Sequence, residues 1–411
     1  MQKFIEQEIP GMTWSPSNVT FPKGFRACAA AAGLIAGRVD MALIWSVKPA
    51  VFSGLFTTNS AEAAPVTLTR KVAEGGLCQA IVVNAGNANA VTGADGMKDA
   101  IAMQDQIGRG LNVSSSLVAV ASTGVIGVPL PMTLVQDGIE RLVQDWAKEQ
   151  GCGGTAASEA ILTTDREPKA LACEVELPGG TVRIGMMAKG SGMIHPQMAT
   201  MLAFFTTDAD ISKPVLDSLM RQAVQRSFLR VSVDGDPSTN DMAVIMANGL
   251  SGVKVETDSA REQFGAALVH LARQGARMIA HDGEGATRLL TVRVRGAASE
   301  ADAALKARTA VRSNLVKSAV YGQDPNWGRV VAAVGSVGLP FSLSGVSLTM
   351  GTVQVLKDGL PVAGVEDQAH EAMAGDEVVM DVTVGSGPGA AEAWGCDLTE
   401  QYVEINAHYR T

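Results

Sequence analysis

Hydrophobic and polar positions along the chain follow two alternating rhythms. Short apolar runs at 79–83 and 117–121 end in small and polar residues, and they predict buried strands. Between and after them, 97–111 and 132–148 repeat apolar residues at helical spacing. The clearest predicted helix covers 258–280. There Phe264, Leu268, Leu271, Gly275 and Met278 share one face, and Ser259 with Glu262 spells an S-x-x-E capping box. Further strands are predicted at 181–187, 289–295, 347–355 and 377–384. Interleaving of this kind predicts an α/β or α+β fold of layered α and β elements. A Gly-rich turn, DGEGA, followed by a strand and a charged helix suggests a seam near 283–300. The expected organisation is a main domain, 1–283, and a smaller α/β domain, 284–411.

Composition narrows the function classes. Of 411 residues, 46% are hydrophobic and 18% charged, which excludes a disordered chain. The net charge of −9 argues against a nucleic-acid partner, and 4% aromatics are too few for base-stacking platforms. The longest bland stretch, 28–37, is ended by Arg38, far short of the roughly 20 apolar residues a membrane span needs. The opening MQKFIEQEIPG has acidic residues and no apolar core, so no signal peptide is expected. Cys28, Cys78, Cys152, Cys173 and Cys396 are scattered without a C-x-x-C pair. They predict reduced thiols in a cytoplasmic protein, with neither a zinc site nor a disulfide framework.

Standard cofactor motifs are missing. No G-x-x-x-x-G-K-[ST] or H-E-x-x-H occurs, and Gly283-Glu-Gly285 lacks the third glycine of a dinucleotide fingerprint. No cofactor and no metal are therefore expected. VDGDPSTND, with Asp234, Asp236 and Asp241, resembles a calcium loop only superficially and reads better as turn chemistry. His195 and His270 do not cluster with the other histidines and read as structural.

One stretch stands apart, KGSGMIHPQMATMLAFFTTD at 189–208. On spacing alone, Thr200 is an ordinary threonine opening a strand. A second reading is chemical. Small residues before a hydroxyl permit a strained backbone, an N→O acyl shift at Ala199–Thr200 and hydrolysis. Thr200 would then carry a free α-amine, with a pKa near 8, beside its own hydroxyl.

The chain resembles the ornithine acetyltransferase (glutamate N-acetyltransferase) family of arginine biosynthesis from end to end. The likeness is carried, in order, by PKGFRACAAAAGLI, SGLFTTNSAEAAPV, NAGNANAVTG, STGVIG, ILTTD, KGSGMIHPQMATML, VDGDPSTND, DGEGATR, DPNWGR and CDLTEQYVEINAHYRT. The resemblance implies self-cleavage after Ala199 into an α chain, 1–199, and a β chain, 200–411, with Thr200 as nucleophile. It implies an oxyanion hole at Thr123 and Gly124, and substrate contacts at Thr163, Lys189, Thr200, Glu284, Asn406 and Thr411. Thr164 is an open alternative to Thr163. Charge alone suggests that Lys189 meets a carboxylate and Glu284 an ammonium. Arg166 stands where a Thr is common, and Gln197 where an Asn is usual.

The implied reaction is ping-pong transfer of acetyl from N2-acetyl-L-ornithine to L-glutamate through an acetyl-Thr200 ester. Some members of the family also accept acetyl-CoA. The implied architecture is a sandwich of sheets flanked by helices, and the implied assembly is an α2β2 heterotetramer. Two rivals remain at this stage: a related N-terminal-nucleophile aminopeptidase or amidase, and a non-catalytic amino-acid-binding module.

Overall fold

The computed structural model describes residues 9–148, 153–195, 201–339 and 341–408. The fold is mixed α/β, built around two sheets. In the larger sheet the strands run in the order Met12–Ser15, Lys169–Leu177, Gly180–Lys189, Leu202–Thr207, Met242–Ala247, Met41–Phe56, Leu77–Asn87 and Val118–Val125. Phe25–Ala30 adds a branch by pairing with Met41–Phe56.

Both faces of this sheet are covered, which is why its strands read as unbroken apolar runs rather than alternating ones. Phe205, Ile245 and Met186 point to one core, against the helices Lys213–Gln225 and Asp258–His281. Phe204, Val244 and Met187 enter another core on the opposite face. Farther along, Val82 and Val120 pack with Met103, Ile107 and Ile139 from the helices Gly93–Leu111 and Met132–Lys148.

The smaller sheet runs Leu360–Pro361, Val353–Lys357, Ser347–Met350, Glu377–Thr383, Leu289–Ala297, Gly389–Cys396 and Val231–Ser232. Its strand Leu289–Ala297 alternates only in its second half, Leu289 to Val292 all being buried. Leu290, Val292 and Val294 bury against Glu300–Arg312 and its neighbours, whereas Arg293 and Arg295 are less buried.

The structure adjusts several details of the sequence reading. The helix expected at 258–280 is Asp258–His281, and its stripe is buried as predicted at Phe264, Leu268, Leu271 and Gly275. Its cap is Thr257, whose side chain accepts from the Ala260 N–H at 3.2 Å, and not Ser259. The strand expected at 347–355 is a hairpin, Ser347–Met350 with Val353–Lys357, because Gly351 turns the chain at φ 57°. Cys28 is disulfide-bonded, contrary to the expectation of reduced thiols throughout, while Cys78, Cys173 and Cys396 are free and buried. No helix among the described residues is long and apolar enough to cross a membrane.

Candidate functional site

The first wall comes from the end of Val118–Val125, which runs parallel to Leu77–Asn87. The register breaks at Gly86 and Asn87, opposite Thr123 and Gly124. Gly124 has φ 131°, and a Cβ there would lie 2.3 Å from the Gly86 carbonyl carbon. Only glycine allows this approach of two backbones. Asn240 ties the region together, its Nδ2 donating to Ala88 O at 2.6 Å and to Ser122 O at 2.9 Å.

The second wall is Lys189, at the end of Gly180–Lys189. Its Nζ donates to Thr163 Oγ1 at 2.8 Å and to Thr123 Oγ1 at 3.2 Å, and lies 3.8 Å from Asp165 Oδ2. The Asp165 side chain is fully buried and accepts from Lys169 Nζ at 2.7 Å, the Gly190 N–H at 2.7 Å and the Thr163 N–H at 3.1 Å. Lys169 in turn lies 2.6 Å from Asp282 Oδ2. Arg166 closes the series, its Nε donating to Asp282 Oδ1 at 2.9 Å. Cations and carboxylates alternate, so each buried charge has an opposite neighbour. Burial alone would raise the Asp165 carboxyl, but Lys169 and Lys189 hold it below the usual carboxylate range. Burial lowers the Lys189 ammonium from its ordinary value, against the pull of Asp165.

The third wall is the turn after Asp258–His281. Glu284 accepts from Thr164 Oγ1 at 2.7 Å and from Asn406 Nδ2 at 2.8 Å. Its backbone N–H bonds Ser191 O at 3.0 Å. Gly192 makes room for it: a Cβ at that position would sit 2.3 Å from the Glu284 carboxylate carbon. Asn406 belongs to the helix Glu400–His408, which is anchored where Thr399 Oγ1 donates to Gly285 O at 2.8 Å.

The fourth wall is VDGDPSTND. Asp234 accepts from the N–H groups of Met193 at 2.5 Å, Ile194 at 2.8 Å and Asp236 at 3.2 Å. Its carboxylate thus serves turn geometry, holding Met193 at φ 55°. Burial raises the Asp234 carboxyl.

These walls enclose a cavity of about 290 Å³ lined by Thr123, Gly124, Thr163, Lys189, Glu284 and Asn406, with Thr164, Met201 and Tyr402. Both Thr163 and Thr164 face it, the first on Lys189 and the second on Glu284. Ala199, Thr200 and Thr411 lie outside the described residues, as does Gln197. His195 is buried behind the site with Nδ1 3.1 Å from Ser232 Oγ. The sequence reading missed Asp165, Lys169, Asp282, Ser191 and Asn240 as site-forming residues. Asp165 stands in the quoted ILTTD, Ser191 in KGSGMIHPQMATML, Asn240 in VDGDPSTND and Asp282 in DGEGATR, but nothing in those motifs gave them a role, and Lys169 lies outside them.

Chemically, the cavity offers a hydroxyl and a glycine backbone at one wall, a buried ammonium beside them and a carboxylate across from it. That set suits a zwitterionic ligand bearing a carbonyl.

A family model described as "ArgJ family" matches residues 26–411. Among curated relatives, the "Arginine biosynthesis bifunctional protein ArgJ" of Symbiobacterium thermophilum is 48% identical over 409 residues, covering 97% of this chain and 100% of the relative. The protein of the same name from Bacillus anthracis is 43% identical, covering 96% of this chain and 97% of the relative. A solved ornithine acetyltransferase from Mycobacterium tuberculosis, complexed with ornithine, is 36% identical with a TM-score of 0.42. It covers 46% of this chain and 100% of its own. A solved arginine biosynthesis bifunctional protein from Bacillus halodurans is 40% identical with a TM-score of 0.49, over 50% of this chain and 98% of its own.

Proposed function

This chain belongs to the ArgJ family, and from that membership and the cavity we propose that it is a glutamate N-acetyltransferase of arginine biosynthesis. It moves the acetyl group of N2-acetyl-L-ornithine to L-glutamate by a ping-pong route. Cleavage after Ala199 frees the Thr200 α-amine. That amine takes the Thr200 hydroxyl proton as the oxygen attacks the acetyl carbonyl. The Thr123 hydroxyl and the Gly124 N–H stabilise the oxyanion. The C–N bond breaks, ornithine leaves with the proton, and the acetyl ester stays on Thr200. The glutamate amine then takes the acetyl group in the same cavity. Lys189 and Glu284 supply opposite charges for the carboxylate and ammonium of the ligand, helped by Thr163, Asn406 and Thr411. Acetyl-CoA is a second donor to assay. The reading extends to a cytoplasmic α2β2 assembly of processed chains.

The observation that carries this reading is convergence. Six of the residues carried over from the family likeness, spread from Thr123 to Asn406, line one cavity. Intact mass with and without N2-acetylornithine tests it. Two chains are expected, the one beginning at Thr200 gaining one acetyl group, and Thr200→Ala should remain uncut and inactive. An uncut wild-type chain with no adduct would overturn the proposal. Release of free acetate, with no transfer to glutamate, would replace it with a hydrolase.

A further inference from the structure

We propose that Asp165 is a positioning residue for the oxyanion-stabilising hydroxyl of Thr123, acting through the Lys189 ammonium. The inference rests on the transferase reading above. Asp165 is not itself among the residues that line the cavity, whereas Lys189 and Thr123 are.

The argument starts from donor count. An ammonium is donor-only, with three hydrogens. Two of them are committed, to Thr163 Oγ1 at 2.8 Å and to Thr123 Oγ1 at 3.2 Å. A hydroxyl that accepts from an ammonium cannot aim its own hydrogen back at that nitrogen. The Thr123 hydrogen is therefore turned elsewhere, and the side chain lines the cavity where an oxyanion would form. A positive charge on the hydroxyl oxygen also strengthens the hydrogen bond that the hydroxyl gives away.

Loss of one proton reverses this. A neutral Lys189 amine has a lone pair, and the Thr123 hydroxyl can turn onto it. The geometry works only while Lys189 is charged, yet Lys189 is buried. Four charged groups face it: Asp165 from the connection before Lys169–Leu177, Lys169 at the start of that strand, Glu284 from the turn, and Asp241 just before Met242–Ala247. Burial and Lys169 favour the neutral amine, whereas the three carboxylates favour the ammonium. Asp165 lies 3.8 Å away. It is itself fixed by Lys169 and the Gly190 N–H, so it cannot swing off. Its accepted bond from the Thr163 N–H sets the second hydroxyl on the same ammonium.

The test is Asp165→Asn, which keeps the shape and removes the charge, alone and combined with Thr123→Val. In the otherwise wild-type protein, kcat for acetyl transfer at saturating N2-acetylornithine should fall about tenfold or more, from the lost transition-state interaction, and KM should rise as well, because the same ammonium faces the ligand's carboxylate. The alkaline limb of the kcat profile should move to lower pH by about one unit or more, because the ammonium has lost its nearest carboxylate. In the Thr123→Val background the same substitution should cost less than about twofold. A purely structural role predicts equal fractional losses in both backgrounds and an unmoved limb, and either result overturns the proposal. If Asp165→Asn does not fold, Lys189→Met and Thr123→Val are compared at saturating donor, and additive kcat losses overturn it. A wild-type protein that transfers no acetyl to glutamate overturns the transferase reading and this one together. A working transferase with additive losses overturns this one alone.

Discussion

Asn406 Nδ2 donates to Glu284 Oε2 at 2.8 Å across 122 positions of sequence, fastening the last helix to the turn that carries the cavity's carboxylate. The helix Glu400–His408 has no buried residue, so little hydrophobic burial holds it. Polar contacts hold it instead: Asn406 on Glu284, the Thr399 bond to Gly285 O and the Tyr321 hydroxyl on Glu400. Asn406→Ala, or a chain ending at 405, should raise KM for N2-acetylornithine about tenfold, the usual value of one hydrogen bond to a charged group. The melting temperature should hardly change. A fully active truncated chain would remove the tail from the site.

Gly192 probes the same carboxylate from the other side. Alanine there puts a Cβ 2.3 Å from the Glu284 carboxylate, which Thr164 and Asn406 hold in place. Relief requires breaking one of those bonds. Gly192→Ala should raise KM about tenfold and cost about 1–2 kcal/mol of stability. Kinetics and urea unfolding on the same preparation check both parts.

Arg166 occupies a position where the family often has Thr, and its contacts show what the longer side chain adds. Besides the Asp282 carboxylate, it donates to His281 O at 3.0 Å and Ala286 O at 3.1 Å, pinning the chain on both sides of Glu284. About half of the side chain is exposed, so the ion pair itself contributes little. Arg166→Thr should lower stability by about 1 kcal/mol and leave kcat unchanged. Thermal melts and saturating-substrate rates measure the two.

His195 makes an acid-sensitive element. Burial, with Arg308 and Arg312 nearby, pushes its pKa down to about 3. In the unfolded chain it titrates near 6.5. Between those values the unfolded state binds the proton and the folded state does not, so stability falls as the pH drops. The slope from this group is at most about 1.4 kcal/mol per pH unit. His195→Gln should flatten the decline in urea midpoint between pH 6.5 and pH 5. An unchanged decline would assign the acid sensitivity to other groups.

The extent to which the sequence was legible follows from how local each signal is. The stripe Phe264–Leu268–Leu271 announces its helix because helical periodicity is written in neighbouring residues. The cap is less local. Thr257, Ser259 and Glu262 all suit a helix start, and only the backbone decides that Thr257 bonds Ala260. The individual site residues Thr123, Lys189 and Glu284 came from family likeness, because a Thr-Gly turn or a loop glutamate has no chemical signature alone. The Asp165–Lys169–Asp282 series was invisible, since Lys169 and Asp282 are 113 positions apart. Charges read one at a time look solvated, and burial exists only after the sheet and the long helix have met.

The order of strands in the larger sheet has a mechanical consequence. Leu202–Thr207, just beyond the proposed cut, is gripped on one side by six register partners from Gly180–Lys189, which precedes the cut. On the other side Met242–Ala247, also beyond the cut, is matched by six partners in Met41–Phe56. Residues before and after position 200 are therefore threaded through one another like the fingers of clasped hands. Severing the 199–200 bond would cut the covalent thread without loosening the weave. The halves would travel as one particle until the sheet itself was unravelled, and neither half would carry a complete core away with it.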